Sequence, residues 1–196
     1  MSSRLTEILA RLGLALMALE ALLVVLSWLL SATRLEGVRS LLSSEGVRWF
    51  FGSFTGMLAS EPLVWLLLGL IALGCLRESG VARMRGGYRR RMALRLSVAL
   101  AAIYAAVLAL LTLMPHAILL SATGQLFPSA FSRSLVPALA FGVCLFSVSF
   151  GVMSGRMRSL GSVLDALSHG IRWGAPLLVV LILLIQLAES LRFVFG

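Results

Sequence analysis

Five runs of apolar residues in this chain approach the length a helix needs to cross a bilayer. A spanning helix takes about 20 apolar residues to cover roughly 30 Å of hydrocarbon. The runs fall at about residues 12–30, 62–77, 94–114, 137–155 and 176–194. The first is too long for the apolar core of a cleavable signal peptide, and it carries Glu20 in its middle. Pro62, Pro137 and Pro176 stand where the second, fourth and fifth runs open, Pro115 follows the third, and Gly155 closes the fourth. Proline at the first turn and glycine after the last is the expected asymmetry of a helix.

Composition removes the soluble alternative. Charged residues make up 13% of the chain and hydrophobic ones 60%, and the mean hydropathy is +1.01. A soluble domain covers its surface with about a quarter charged residues. Residues 1–196 therefore read as a single all-α integral membrane domain of about five transmembrane helices, with the lipid bilayer as its first partner. The net charge of +9 is carried by 17 basic residues, all arginine, with no Lys or Asn in the chain. A nucleic-acid partner would require a water-soluble basic face, which this composition cannot supply.

The charge instead orients the spans. Residues 77–95, RESGVARMRGGYRRRMALR, hold seven arginines and one acid, Glu78. Arg83, Arg85, Arg89, Arg90 and Arg91 form the centre of this basic anchor for anionic lipid. Arg156, Arg158 and Arg172 follow the fourth run, and Arg4 and Arg11 precede or open the first. The loop after the third run has only Arg133, and the loop after the first dilutes its arginines with Glu36, Glu45 and Glu61. Basic loops remain in the cytoplasm, so the expected topology is N-terminus in and C-terminus out, in a bacterial inner membrane.

Two segments between the runs have helical periodicity of their own. In residues 46–58, Val47, Phe50, Phe51, Phe54 and Leu58 share one face. The segment reads as an amphipathic helix in the outer leaflet, or as a re-entrant segment shaping an entrance. In residues 159–172, Leu160, Val163, Leu164 and Leu167 share a face, while Asp165 and His169 form an i, i+4 pair. That pair is either a solvated face or a proton-handling couple.

Polar residues at membrane depth are the candidate site. Glu20, Tyr104, Ser147, Ser149 and Gln186 lie near the middles of four runs. Each is costly in hydrocarbon and so is a functional hypothesis. They are either interhelical hydrogen-bonding groups or a midplane site for a proton or solute. Glu189 and Arg192, three apart, read as an interfacial pair. Cys75 and Cys144 sit in apolar runs without metal spacing and read as small buried hydrophobes. The sequence offers no phosphate-cradling glycine loop, metal cluster or nucleophile triad, so no catalytic residue, cofactor or metal is expected. His116 and His169 fall on opposite sides of the membrane in this topology.

Residues 41–81, LLSSEGVRWFFGSFTGMLASEPLVWLLLGLIALGCLRESGV, carry a family resemblance. The Leu41-Leu42-Ser43 start, Glu45-Gly46-Val47-Arg48-Trp49, Phe54-Thr55-Gly56, Pro62-Leu63 and Glu78-Ser79-Gly80 resemble the early region of the aminobenzoyl-glutamate transporter (AbgT) family. Residues 114–195 are also similar, at Gly124, Leu126-Phe127-Pro128-Ser129, Phe131, Val136-Pro137, Gly151 to Gly155, Gln186, Phe193 and Phe195. The resemblance implies an inner-membrane, proton-driven secondary transporter acting as a homo-oligomer on a small anionic solute. The family's re-entrant hairpin regions have no counterpart, because Gly80 is followed almost at once by the basic start of the next helix and no second hairpin follows the last run. The substrate-contacting positions lie in those regions and transfer to no residue here. The same resemblance therefore also fits a non-transporting scaffold or accessory subunit that packs against another membrane protein.

Overall fold

The computed structural model describes residues 3–33, 37–83, 87–113 and 130–196. The features expected at Arg85, Pro115, His116 and residues 124–129 lie outside the described residues. The described chain forms six α-helices and no strand: α1 (Ser3–Ala32), α2 (Ser44–Leu58), α3 (Glu61–Ser79), α4 (Tyr88–Leu113), α5 (Ala130–Met153) and α6 (Leu160–Phe195). Five of them, all but α2, are long and apolar enough to cross a membrane. The protein is an all-helical, multi-pass membrane protein.

The exposed surface fits that solvent. On α4, Val98, Ile103, Val107 and Leu110 are 51%, 62%, 48% and 55% exposed. In water such a face would forgo about 25 cal/mol for each Å² left uncovered. Lipid tails solvate these side chains as well as a protein interior does, so the helices have no hydrophobic reason to bury them.

The helices are longer than the apolar runs, and two expectations change. α5 starts at Ala130 and passes through Pro137, while α6 runs unbroken from Leu160 through Pro176. The prolines therefore do not open these helices, and residues 159–172 are the first part of α6 rather than a separate helix. Each proline removes one backbone donor and crowds the preceding turn. Breaking the helix in hydrocarbon would instead expose several backbone groups with no water to satisfy them, so the single lost bond is the smaller cost. The basic loop is also shorter than residues 77–95. α3 continues to Ser79, a 3-10 turn covers Val81–Arg83, and α4 already begins at Tyr88. Arginine is a good helix former, and no glycine or proline interrupts residues 88–95.

The described residues cluster into two compact units, Met1–Val64 with Gly174–Gly196, and Trp65–Trp173. In the first unit, Leu16, Leu23 and Ser27 are buried on one face of α1. Leu23 joins Leu41, Phe193 and Val194 in a core cluster. The segment before α2 is tied down by its backbone: Arg39 N–H donates to Val194 C=O at 3.0 Å, and Leu41 N–H donates to Ser27 Oγ at 3.1 Å. Ser43 caps α2, its hydroxyl accepting from Gly46 N–H at 3.0 Å. α2 packs through Trp49, whose ring stacks on Phe193 at 4.3 Å between centroids. The opposite, aromatic face remains open, with Phe51 76% exposed.

In the second unit α4 packs on α5, while α3 and α6 meet at Gly74 and Gly170. A Cβ on Gly170 would collide with the Leu70 carbonyl oxygen, and one on Gly74 would collide with the Gly170 backbone nitrogen. Only glycine permits this approach, the membrane form of close helix packing. Cys75, Met157 and Ala166 form the buried cluster beside it, with Cys144, Val148, Val163 and Leu167 packed around them. Both cysteines are free thiols. They are thus packed into one apolar cluster, a juxtaposition that their separation in sequence did not suggest.

Candidate functional site

The candidate polar residues separate into the two units. In the first, α1 directs Glu20 along the same face as Leu16 and Leu23, at helical spacings of four and three. α6 presents Gln186 and Ser190 one turn apart, both buried, the serine completely. Ser190 Oγ–H donates to Glu20 Oε1 at 2.6 Å. Gln186 Nε2–H donates to Ser190 Oγ at 3.4 Å. Glu20 Oε2 and Gln186 Oε1 are buried without a hydrogen-bond partner. The arrangement is therefore a short hydrogen-bonded chain with two acceptors left over. Buried polar groups without partners are costly, more so in low dielectric. Ser190 was absent from the sequence-level candidates. Its i+4 spacing from Gln186 was the available signal, but a serine near the end of a span is common.

The other three candidates lie in the second unit, each with its own environment. Tyr104 O–H donates to the Ala138 carbonyl at 2.9 Å. Its ring covers Gly142, where an added Cβ would come within 2.9 Å of the ring. Tyr104 thus joins α4 to α5. Ser149 Oγ–H donates back to Leu145 C=O at 2.6 Å within α5, the usual way a helix absorbs a hydroxyl. Ser147 is fully buried and its hydroxyl has no partner, as is Ser97 on α4. Among the described residues, the hydrogen bonds join Glu20 and Gln186 but none of the other three.

The charged ends also differ from the expected pairing. Asp165 does not pair with His169. Arg172 reaches back two turns to Asp165, Nη to Oδ1 at 3.5 Å, and His169 Nδ1 faces Glu78 Oε1 at 3.5 Å. A long guanidinium stem spans seven residues, while the shorter imidazole meets the carboxylate of the neighbouring helix. Arg156 Nε–H donates to Glu78 C=O at 2.6 Å, closing the turn after α5 onto the end of α3. The expected Glu189–Arg192 pair is present at 2.7 Å.

Of the basic anchor, Arg89 Nε–H donates to Met153 C=O at 3.3 Å, Arg90 and Arg91 are exposed, and Arg83 falls in the 3-10 turn. Arg77 lies over the Trp173 ring at 4.7 Å, a cation–π contact. Among the described residues no cluster of metal-ligating side chains forms.

No family model, no curated protein and no solved structure matches this chain.

Proposed function

We propose that this chain is an AbgT-like inner-membrane protein of the transport class, with Glu20 as its proton-binding group, acting as a homo-oligomer. Its N-terminus lies in the cytoplasm and its C-terminus outside. The observation that carries the reading is the Glu20–Ser190–Gln186 chain with its two orphan acceptors. One proton on Glu20 supplies a donor where the site lacks one, so the hydrogen bonding changes with proton occupancy. A group of that kind at membrane depth is what proton coupling requires. The test is proton uptake into reconstituted vesicles under an imposed pH gradient, read with an internal pH-sensitive dye. Uptake is expected in the native protein and lost in Glu20→Gln at equal expression. Unchanged flux in the variant removes Glu20 from the mechanism.

A second reading, a non-transporting scaffold or accessory subunit, is favoured by α4. Only 6% of its apolar window is buried, and Ala99, Ala102 and Ala106 lie exposed along it, open to the close approach of another membrane helix. Purification in mild detergent separates the readings. A stoichiometric partner of different sequence supports the scaffold, and a lone homo-oligomer supports the transporter.

A further inference from the structure

Two cavities in the second unit, one polar and one apolar, border one buried cluster. The polar one, about 470 Å³, is lined by Glu78, Arg156, Ser162, Asp165, His169 and Arg172, together with Met157 and Ala166. The apolar one, about 610 Å³, is lined by Leu68, Ile71, Pro137, Phe141, Leu145 and neighbours that include Cys144, Val148 and Leu167. Met157 and Ala166 belong to the buried cluster against which Cys144, Val148 and Leu167 pack. The two spaces therefore border the same cluster. The order along the chain agrees: α3 passes from Leu68 and Ile71 in the apolar space to Glu78 in the polar one. After α5 lines the apolar space from Pro137 to Val148, the following turn brings Arg156 to the polar one.

We propose that these cavities form one binding site for a single phospholipid whose headgroup carries both a phosphate and a primary amine. The headgroup occupies the polar cavity and an acyl chain lies along the apolar one. The polar cavity presents both signs of charge. Arg156 and Arg172 offer donors to a phosphate, and Glu78 and Asp165 offer acceptors to an ammonium. A purely anionic headgroup would leave those carboxylates opposed to it, and a choline would give them no hydrogen to accept. The existing contacts, His169–Glu78 and Arg172–Asp165, are long at 3.5 Å, and their side chains are between 40% and 76% exposed. Such pairs are worth little and can be exchanged for a ligand. The apolar space is lined almost wholly by carbon, which suits an alkyl chain and no polar solute. The proposal depends on membrane placement and not on transport.

The test is native mass spectrometry of the delipidated full chain after incubation with vesicles of equal phosphatidylethanolamine, phosphatidylglycerol and phosphatidylcholine. One phosphatidylethanolamine per chain is expected, retained about ten-fold over phosphatidylcholine, the ratio that one charge-assisted hydrogen bond supports. Three variants probe the parts separately, each checked for native helix content. Arg172→Gln with His169→Gln is expected to remove the preference. Glu78→Gln with Asp165→Asn is expected to shift it to phosphatidylglycerol. Leu145→Trp is expected to lower retention of all three lipids by filling the apolar space. Equal retention of the three lipids by the native chain, a native preference for phosphatidylglycerol, or a phosphatidylethanolamine preference that survives the carboxylate variant overturns the proposal.

Discussion

At the scale of the residue, the structure turns on a few side chains whose partners are specific and on two positions that need no side chain. Ser190 is the middle of the Glu20 chain, donating to the carboxylate and accepting from Gln186. Ser190→Ala leaves Glu20 Oε1 without that donor. It is expected to lower stability by about 1 kcal/mol, as interhelical hydrogen bonds in membranes do, and to lower the melting midpoint in detergent. Gly170→Ala is expected to cost more, at least the roughly 1–3 kcal/mol of overpacking, because the added methyl meets backbone that cannot rotate away. Thermal survival followed by fluorescence-detected size exclusion measures both, and a Gly170→Ala protein as stable as the native one would contradict the α3–α6 contact. The sequence made Glu20 and Gln186 legible because ionisable and amide groups are rare at membrane depth. It did not make their partner legible, since a serine carries no such rarity. Nor could it tell Tyr104, which bonds a neighbouring helix, from Ser149, which bonds its own.

At the scale of the element, length and hydropathy identified every spanning helix, but not where each one stops. The rules that end a helix at proline come from chains surrounded by water. In hydrocarbon the same proline is retained inside, so α5 and α6 extend beyond their apolar runs toward their N-termini. The pairing within residues 159–172 departs from the periodicity for a related reason. Periodicity places Asp165 beside His169 but says nothing of Glu78 on another helix, which captures the imidazole. In α2 the expected face of Val47, Phe50, Phe51, Phe54 and Leu58 divides, with Phe50 and Leu58 half-buried. The face of Val47, Phe51 and Phe54 remains open, while Trp49 anchors the other side to Phe193. If that open face meets lipid, a nitroxide at Phe51→Cys, in a background with Cys75 and Cys144 replaced, collides with dissolved oxygen more than with a water-soluble nickel chelate. The reverse ratio would place α2 in water. Removing the anchor with Trp49→Ala is expected to cost about 0.5–1.5 kcal/mol from the lost ring pairing, beyond the lost burial, and to lower the melting midpoint.

At the scale of the whole molecule, arginine placement makes the topology testable without knowing any substrate. A reporter active only outside the cytoplasm is expected to be active when fused after Gly196 and silent when inserted at Gly87, between the 3-10 turn and α4. Activity at Gly87 would invert the orientation. The apolar runs and the low charge content announced the all-helical, multi-pass architecture that the helices display, whereas the proposed function rests on Glu20. Function is less legible here than architecture, because a polar group in an apolar helix serves as readily to bond a neighbouring helix as to bind a proton.

The meeting of Gly74 with Gly170 has a consequence for the order in which the protein comes apart. Contacts between helices commonly pass through side chains, which gain rotamer freedom as the temperature rises and loosen gradually. A contact made by backbone alone has no such reservoir. It remains intact until the helices part, and then it is lost at once. Amide hydrogens around Gly74 and Gly170 should therefore be among the last to exchange with deuterium on warming, marking the point about which the second unit finally opens.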